Sequence, residues 1–107
     1  MDPTLVAKLN KTCAPNVSAT VFLDHNTFFS FDNEFYNQIL LKRGILQLDQ
    51  ELALDNSTAS TVSGFASNGI RFQNNFAKAM VKLGSIEVLV GKAGEIRNNC
   101  RVFNPAN

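Results

Sequence analysis

Between Leu23 and Asp32 the chain reads Leu-Asp-His-Asn-Thr-Phe-Phe-Ser-Phe-Asp. Two carboxylates, a hydroxyl and free backbone carbonyls are thus gathered in one short loop. A hard cation such as calcium takes about six to eight oxygen ligands of this kind. The spacing is not that of an EF-hand, which needs a terminal Glu at its twelfth position. The same residues also suit a plainer arrangement, with Asp24 solvated and Asp32 serving only to cap a helix.

A second group is Asp49-Gln50-Glu51, set between two apolar segments. A carboxylate in apolar surroundings is costly unless it is paired. It could accept the N–H of an imidazole and so orient a metal-bound His. It could equally be an exposed acid at a turn or helix start. His25 is the only histidine, and it lies among Asp24, Asn26 and Thr27, where it reads as a surface residue. One His cannot serve as both a metal ligand and an acid–base catalyst. No second His exists to complete a nucleophilic triad. GxSxG, P-loop, HExxH and zinc patterns are all absent from the sequence.

The two cysteines, Cys13 and Cys100, are even in number, so a mutual disulfide is the naive reading. Two buried or free thiols is the other. Three N-glycosylation sequons start at Asn10, Asn16 and Asn56, a mild hint of secretory origin.

These residues sit on a chain of ordinary globular composition, 45% hydrophobic and 18% charged, with nine Phe and no Trp. A net charge of +1 gives no basic field for nucleic acid or an anionic membrane. Acids concentrate in residues 1–60 and bases in 61–107. No stretch approaches the about 18 apolar residues of a membrane span. The start shows no signal peptide.

The elements that must position the groups are mainly helical. Asp2-Pro3 predicts an N-cap with Pro at the first helical position, and Leu5, Val6 and Leu9 one face of a helix ending near Cys13. Residues 16–31 read as an extended, ordered loop. Asp32 is expected to cap a helix carrying Phe35, Ile39 and Leu40, with Lys42 and Arg43 in its last turn and Gly44 beyond its end. Ile45–Leu54 is mixed, and residues 55–60 form a polar break from which Ser57 or Ser60 could start a helix running to about Ser67. Asn68-Gly69 predicts a turn. Phe72, Phe76, Ala79, Met80 and Leu83 recur at helical spacing and predict a core-facing helix over 70–83, ended by Gly84. Residues 85–107 hold short apolar pieces and a basic tail.

Taken together, FDNEFY at 31–36, GILQLDQEL at 44–52, FAKAMVKLG at 76–84 and GEIRNNCRVFN at 94–104 resemble the class III plant peroxidases, the secretory haem enzymes. The resemblance runs along essentially the whole chain, residues 1–107, which is similar to the C-terminal part of a haem peroxidase domain. It implies an all-α fold around haem b, with two calcium ions and four disulfides. It implies reduction of hydrogen peroxide with oxidation of phenolic donors, hydrogen peroxide catabolism under oxidative stress, a monomer, and a secreted or vacuolar site. By the same resemblance Asp24, Thr27 and Asp32 fall on side-chain ligands of the proximal calcium, and Ser30 on a carbonyl ligand. Asp49 falls on the carboxylate that receives the N–H of the proximal His.

The resemblance also implies departures. The proximal His, the distal His and Arg, a further calcium-binding Thr and the distal calcium site belong upstream, and His25 matches none of them. Cys13 and Cys100 then lack their partners. Two absent cross-links, at about 2–4 kcal/mol each, would leave the segment marginal by itself. These 107 residues alone are therefore expected to be inactive and to bind no haem. The alternative is a non-enzymatic peroxidase-derived chain that acts through its exposed half-core.

Overall fold

The computed structural model of the chain describes residues 1–16 and 18–105. Five helices occur among them: α1 (Pro3–Cys13), α2 (Glu34–Leu40), α3 (Gln47–Leu54), α4 (Ala59–Ala66) and α5 (Gly69–Ser85). No described residue is in a strand, so the fold is all-α. No helix is long and apolar enough to cross a membrane among the described residues. The chain divides into two compact units, Met1–Ala77 and Lys78–Asn107.

The first unit holds every buried apolar side chain. Leu5, Ile39, Val62 and Phe72 are its core, one each from α1, α2, α4 and α5. Around Phe72 stand Phe31, Tyr36, Phe65 and Phe76, with ring centroids 5.3 to 6.0 Å from it. Tilted and edge-on rings at this spacing add about 0.5–1.5 kcal/mol per pair beyond their area. Helices α2, α3 and α4 pack on one another in this unit.

Side chains fasten the helix ends. Asn33 sends its Nδ2 to the carbonyls of Phe65 and Ala66, 2.8 Å each, satisfying the open end of α4 from the start of α2. A Cβ at Gly69 would come within 3.1 Å of the Asn33 amide oxygen, so the small residue lets the two segments approach. Gln50 likewise locks α3 to α2. Its amide donates to the Ile39 carbonyl at 2.8 Å and accepts from Gly44 N–H at 3.1 Å.

Several boundaries differ from expectation. The N-cap of α2 is Asn33, not Asp32, although Asp32 still accepts the Glu34 N–H at 2.9 Å. This helix ends at Leu40, so Lys42 and Arg43 lie beyond it. Lys42 takes the left-handed backbone (φ 60°) that was expected of Gly44. Arg43 is pulled instead to α1, where it pairs with Asp2. Residues 47–54, which showed no clear period, are helical. The polar break ends at Thr58, and α4 starts at Ala59, between the two expected serines. Gly84 does not end α5, which continues to Ser85. The expected core stripe is covered only at its start: Phe72 is 7% exposed, Phe76 41%, Met80 49% and Leu83 60%.

Candidate functional site

The loop between α1 and α2 is ordered by its own acids. Asp24 Oδ1 accepts the N–H groups of Asn26 and Thr27 at 2.8 and 3.2 Å, and Oδ2 accepts the Thr27 hydroxyl at 2.7 Å. Such an arrangement is an Asx-turn closed by a hydroxyl. Ser30 N–H then closes on the Thr27 carbonyl at 2.7 Å. Partial burial works to raise the Asp24 carboxyl. The bonds from Thr27 and Asn26, with the nearby His25, outweigh it and hold the group below its usual range.

Asp24, Ser30 and Asp32 line one recess of about 320 Å³, with Phe22, Phe28 and Phe35 among its walls. Three of the four residues expected at a cation site are thus brought together, and the fourth, Thr27, is bonded to the first. Within this loop the oxygen donors are two carboxylates, hydroxyls and carbonyls, the kinds calcium prefers. No group of three or more His, Cys, Asp or Glu side chains is placed to hold a metal ion among the described residues. The set therefore fits a hard cation in kind but falls short of a full shell by itself.

A polar chain anchors this loop to the rest of the first unit, and sequence reasoning missed it. Asn26 donates to Glu34 Oε1 at 2.6 Å, as does Gln38 at 2.6 Å, and Asn37 donates to Oε2 at 3.0 Å. Gln38 is only 1% exposed. Its side-chain Oε1 accepts Arg43 Nε at 2.9 Å, and Arg43 Nη1 reaches Asp2 Oδ1 at 2.9 Å. Asp2 in turn caps α1 through Leu5 N–H at 3.0 Å and takes the Thr4 hydroxyl. The Thr4 hydroxyl, the Leu5 N–H and Arg43 hold the Asp2 carboxyl below its usual range. The only signal in the sequence was the i, i+4 pair Glu34 and Gln38 on α2.

Asp49 lies in the first turn of α3, where a negative charge suits the helix dipole. It is half-buried. Its Oδ2 is covered and has no hydrogen-bond partner among the described residues. A covered, unpartnered carboxylate oxygen is uncommon and costly, and it fits an acceptor held ready for a donor. His25 departs from expectation. It is half-buried, and its Nε2 is covered and unpartnered. Burial, then the charges of Lys8 and Arg43, push its imidazole below the ordinary value, with Asp24 acting in the opposite sense.

Cys13 and Cys100 are free and exposed, and no disulfide joins them. Asn16 and Asn56 are exposed outside the helices, as carbohydrate attachment requires, whereas Asn10 lies within α1. Val17, the middle residue of the Asn16 sequon, lies outside the described residues.

This all-α chain with its acid-ordered loop matches known proteins. The family model described as Peroxidase matches residues 1–68. The chain belongs to the peroxidase family. Relatives place it in the class III plant group. Peroxidase 44 of Arabidopsis thaliana is 50% identical over 104 residues, covering 97% of this chain and 34% of that protein. Peroxidase 57 of the same plant is 49% identical over 104 residues, covering 97% and 33%. Peroxidase 5 of Vitis vinifera is 38% identical over 107 residues, covering 97% and 32%. The chain spans about a third of the length of the curated relatives it matches.

Proposed function

We propose that residues 1–107 are the C-terminal part of a haem peroxidase domain, a secreted or vacuolar enzyme that spends hydrogen peroxide on phenolic donors. In this reading the chain supplies the calcium loop and the carboxylate that orients the proximal imidazole. The observation that carries it is the covered, unpartnered Oδ2 of Asp49 on α3. A peroxidase of this family needs an acceptor there for an imidazole N–H, and such a bond makes the imidazole a more basic iron ligand. Haem, when bound, supplies the redox chemistry. Asp49 orients, and Asp24, Thr27, Ser30 and Asp32 hold calcium beside the start of α2.

The 107 residues by themselves do not turn over peroxide. They offer one imidazole, His25, which lines a recess on the α1 side of the loop. The sequence holds no second imidazole to take the acid–base role beside an iron-ligating one. The test is to add haem and calcium to the purified chain, following the Soret band and oxidation of a phenolic donor against free haemin. No turnover above haemin is expected, and substantial turnover overturns the proposed inactivity. Asp49→Leu in the same chain is expected to cost less than about 1 kcal/mol, since the carboxylate has only the helix dipole and no hydrogen-bond partner to lose. A loss above about 1 kcal/mol would show that Asp49 already has a partner and sink the orienting role.

A further inference from the structure

Helix α1 is held to the end of α2 by its first residues. Among the described residues it lies alongside no other helix. Its buried Leu5 is one anchor. The other is at its start, where Asp2 N–H donates to the Lys42 carbonyl at 2.8 Å and Arg43 Nη1 reaches Asp2 Oδ1 at 2.9 Å. Lys42 presents that carbonyl from a left-handed backbone, which a residue with a side chain keeps only where its surroundings fix it.

Arg43 is the joint between this anchor and the acid-ordered loop. Its Nε donates to Gln38 Oε1 at 2.9 Å, and the Gln38 amide donates to Glu34 Oε1 at 2.6 Å. The same Glu34 oxygen takes the Asn26 amide at 2.6 Å. Asn26 N–H in turn lies on Asp24 Oδ1 at 2.8 Å, so the last link aims a carboxylate of the cation loop. Every side-chain link has one charged partner, which makes it shorter and stronger than a neutral bond. Gln38 is 1% exposed, so water has little access to replace either of its bonds.

We infer that Arg43 is a positioning residue for the cation loop: through Gln38, Glu34 and Asn26 it couples cation binding at Asp24 to the docking of α1. The inference rests on the calcium reading of residues 24–32. Such coupling is reciprocal: filling the loop tightens α1 by the factor with which docked α1 tightens the loop. The recess shared by α1 and residues 20–28 offers a direct route between them, so the joint at Arg43 has to be tested by itself.

The sign of the effect separates the relay from plain electrostatics. The Arg43 charge reaches His25, the neighbour of Asp24. Removing that charge alone would help a cation bind in the loop. Cutting the relay would hinder it.

Calcium chloride is titrated into the full chain, following the Asn26 and Thr27 amide signals by NMR. Asp24→Asn marks which binding belongs to the loop. Arg43→Met keeps the apolar stem and removes both bonds, and it is expected to weaken calcium binding about fivefold, the lower end of ordinary couplings. Val62→Ala, a core change in α4 outside the relay, should lower stability and leave the affinity unchanged. In the unmodified chain, calcium should slow amide exchange in α1 more than in α4. That comparison decides alone if Arg43→Met loses its helices. Unchanged or tighter binding in a folded Arg43→Met chain, an equal weakening in Val62→Ala, or no greater slowing in α1 than in α4 would overturn the coupling and leave the calcium loop standing. Amide signals that do not move, or that move alike in Asp24→Asn, would overturn the calcium loop and the coupling with it.

Discussion

The two units of this chain are built by different means. Met1–Ala77 contains all four buried apolar side chains, the aromatic cluster around Phe72 and the polar chain from Asn26 to Asp2. In Lys78–Asn107 no described side chain is buried, and all but Asn104 are classed as exposed. What order it has is local. Asn104 accepts Asn98 N–H at 3.0 Å and donates to the Ile96 carbonyl at 3.0 Å, while Arg97 lies 4.2 Å over the Phe103 ring. The apolar residues are present all the same: Ile86, Val88, Leu89, Val90, Ile96 and Val102 are all more than half exposed. Identity to the plant peroxidases runs through both units, whereas the family model stops at residue 68. Sequence kinship is thus spread more evenly than self-sufficiency. Apolar residues without opposing surface cannot become a core, however well they match a relative.

The strongest way to break this contrast is to remove the centre of one unit and a comparable side chain of the other. Phe72→Ala should cost about 3–5 kcal/mol, because four neighbouring rings lose their common contact. For a marginal domain that is most of its stability. The expected result is loss of the cooperative urea transition by far-UV circular dichroism. Ile96→Ala, at 95% exposure, should change stability by less than about 0.5 kcal/mol. Similar costs for the two would mean that the second unit has a core of its own.

Next in size is the polar chain. Gln38→Ala removes a buried amide that bridges Glu34 and Arg43. The cost should be about 1–2 kcal/mol, since Arg43 Nε loses its acceptor while Glu34 Oε1 keeps Asn26. Urea midpoints would measure it, and Asn26 amide exchange should quicken in the same variant. A neutral outcome would show that the chain of bonds from the loop to α1 is incidental.

The pH dependence sharpens the same point at the far end of that chain. The Asp2 carboxyl sits below its ordinary value of 3.8 through the Thr4 hydroxyl, the Leu5 N–H and Arg43. A carboxyl lowered on folding contributes stability that is complete above the unfolded value and is lost as pH falls through the folded one. Helix content should therefore decline below about pH 3.8. Asp2→Asn, which keeps the cap but not the charge, should flatten that decline. A decline unaltered by the substitution would assign it to other acids.

Much of the first unit was legible in the sequence because its signals are local. Asp2-Pro3 marked the start of α1, the Phe72 spacing marked α5, and Asn68-Gly69 marked the break before it. What stayed hidden depends on distant partners. Arg43 leaves α2 because Asp2, far away in sequence, competes for it. Helix α3 has a weak apolar pattern and is held by Gln50 bridging Ile39 and Gly44. His25 reads as a polar loop residue until α1 folds over it. The loop acids were found by type and proximity, and the turn that unites Asp24 with Thr27 is local as well. The covered Oδ2 of Asp49 is a property of packing, and no spacing rule discloses it.

The smallest effect lies in the last turn of α5, within the second unit. Gly84 sits inside α5, one residue before its end, and a Cβ built there meets nothing within 4 Å. Its backbone is not in the left-handed region, unlike Gly91 at φ 61°. Alanine loses less backbone freedom than glycine on becoming helical, so Gly84→Ala should raise stability by about 0.5–1 kcal/mol. The gain should appear as slower amide exchange in the last turns of α5, with the aromatic cluster around Phe72 unmoved. Gly44→Ala is the opposing control, because its Cβ would press on Gln50 Cβ at 3.1 Å in a buried position and loosen α3. If Gly84→Ala stiffened nothing, the last turn of α5 would be frayed in solution.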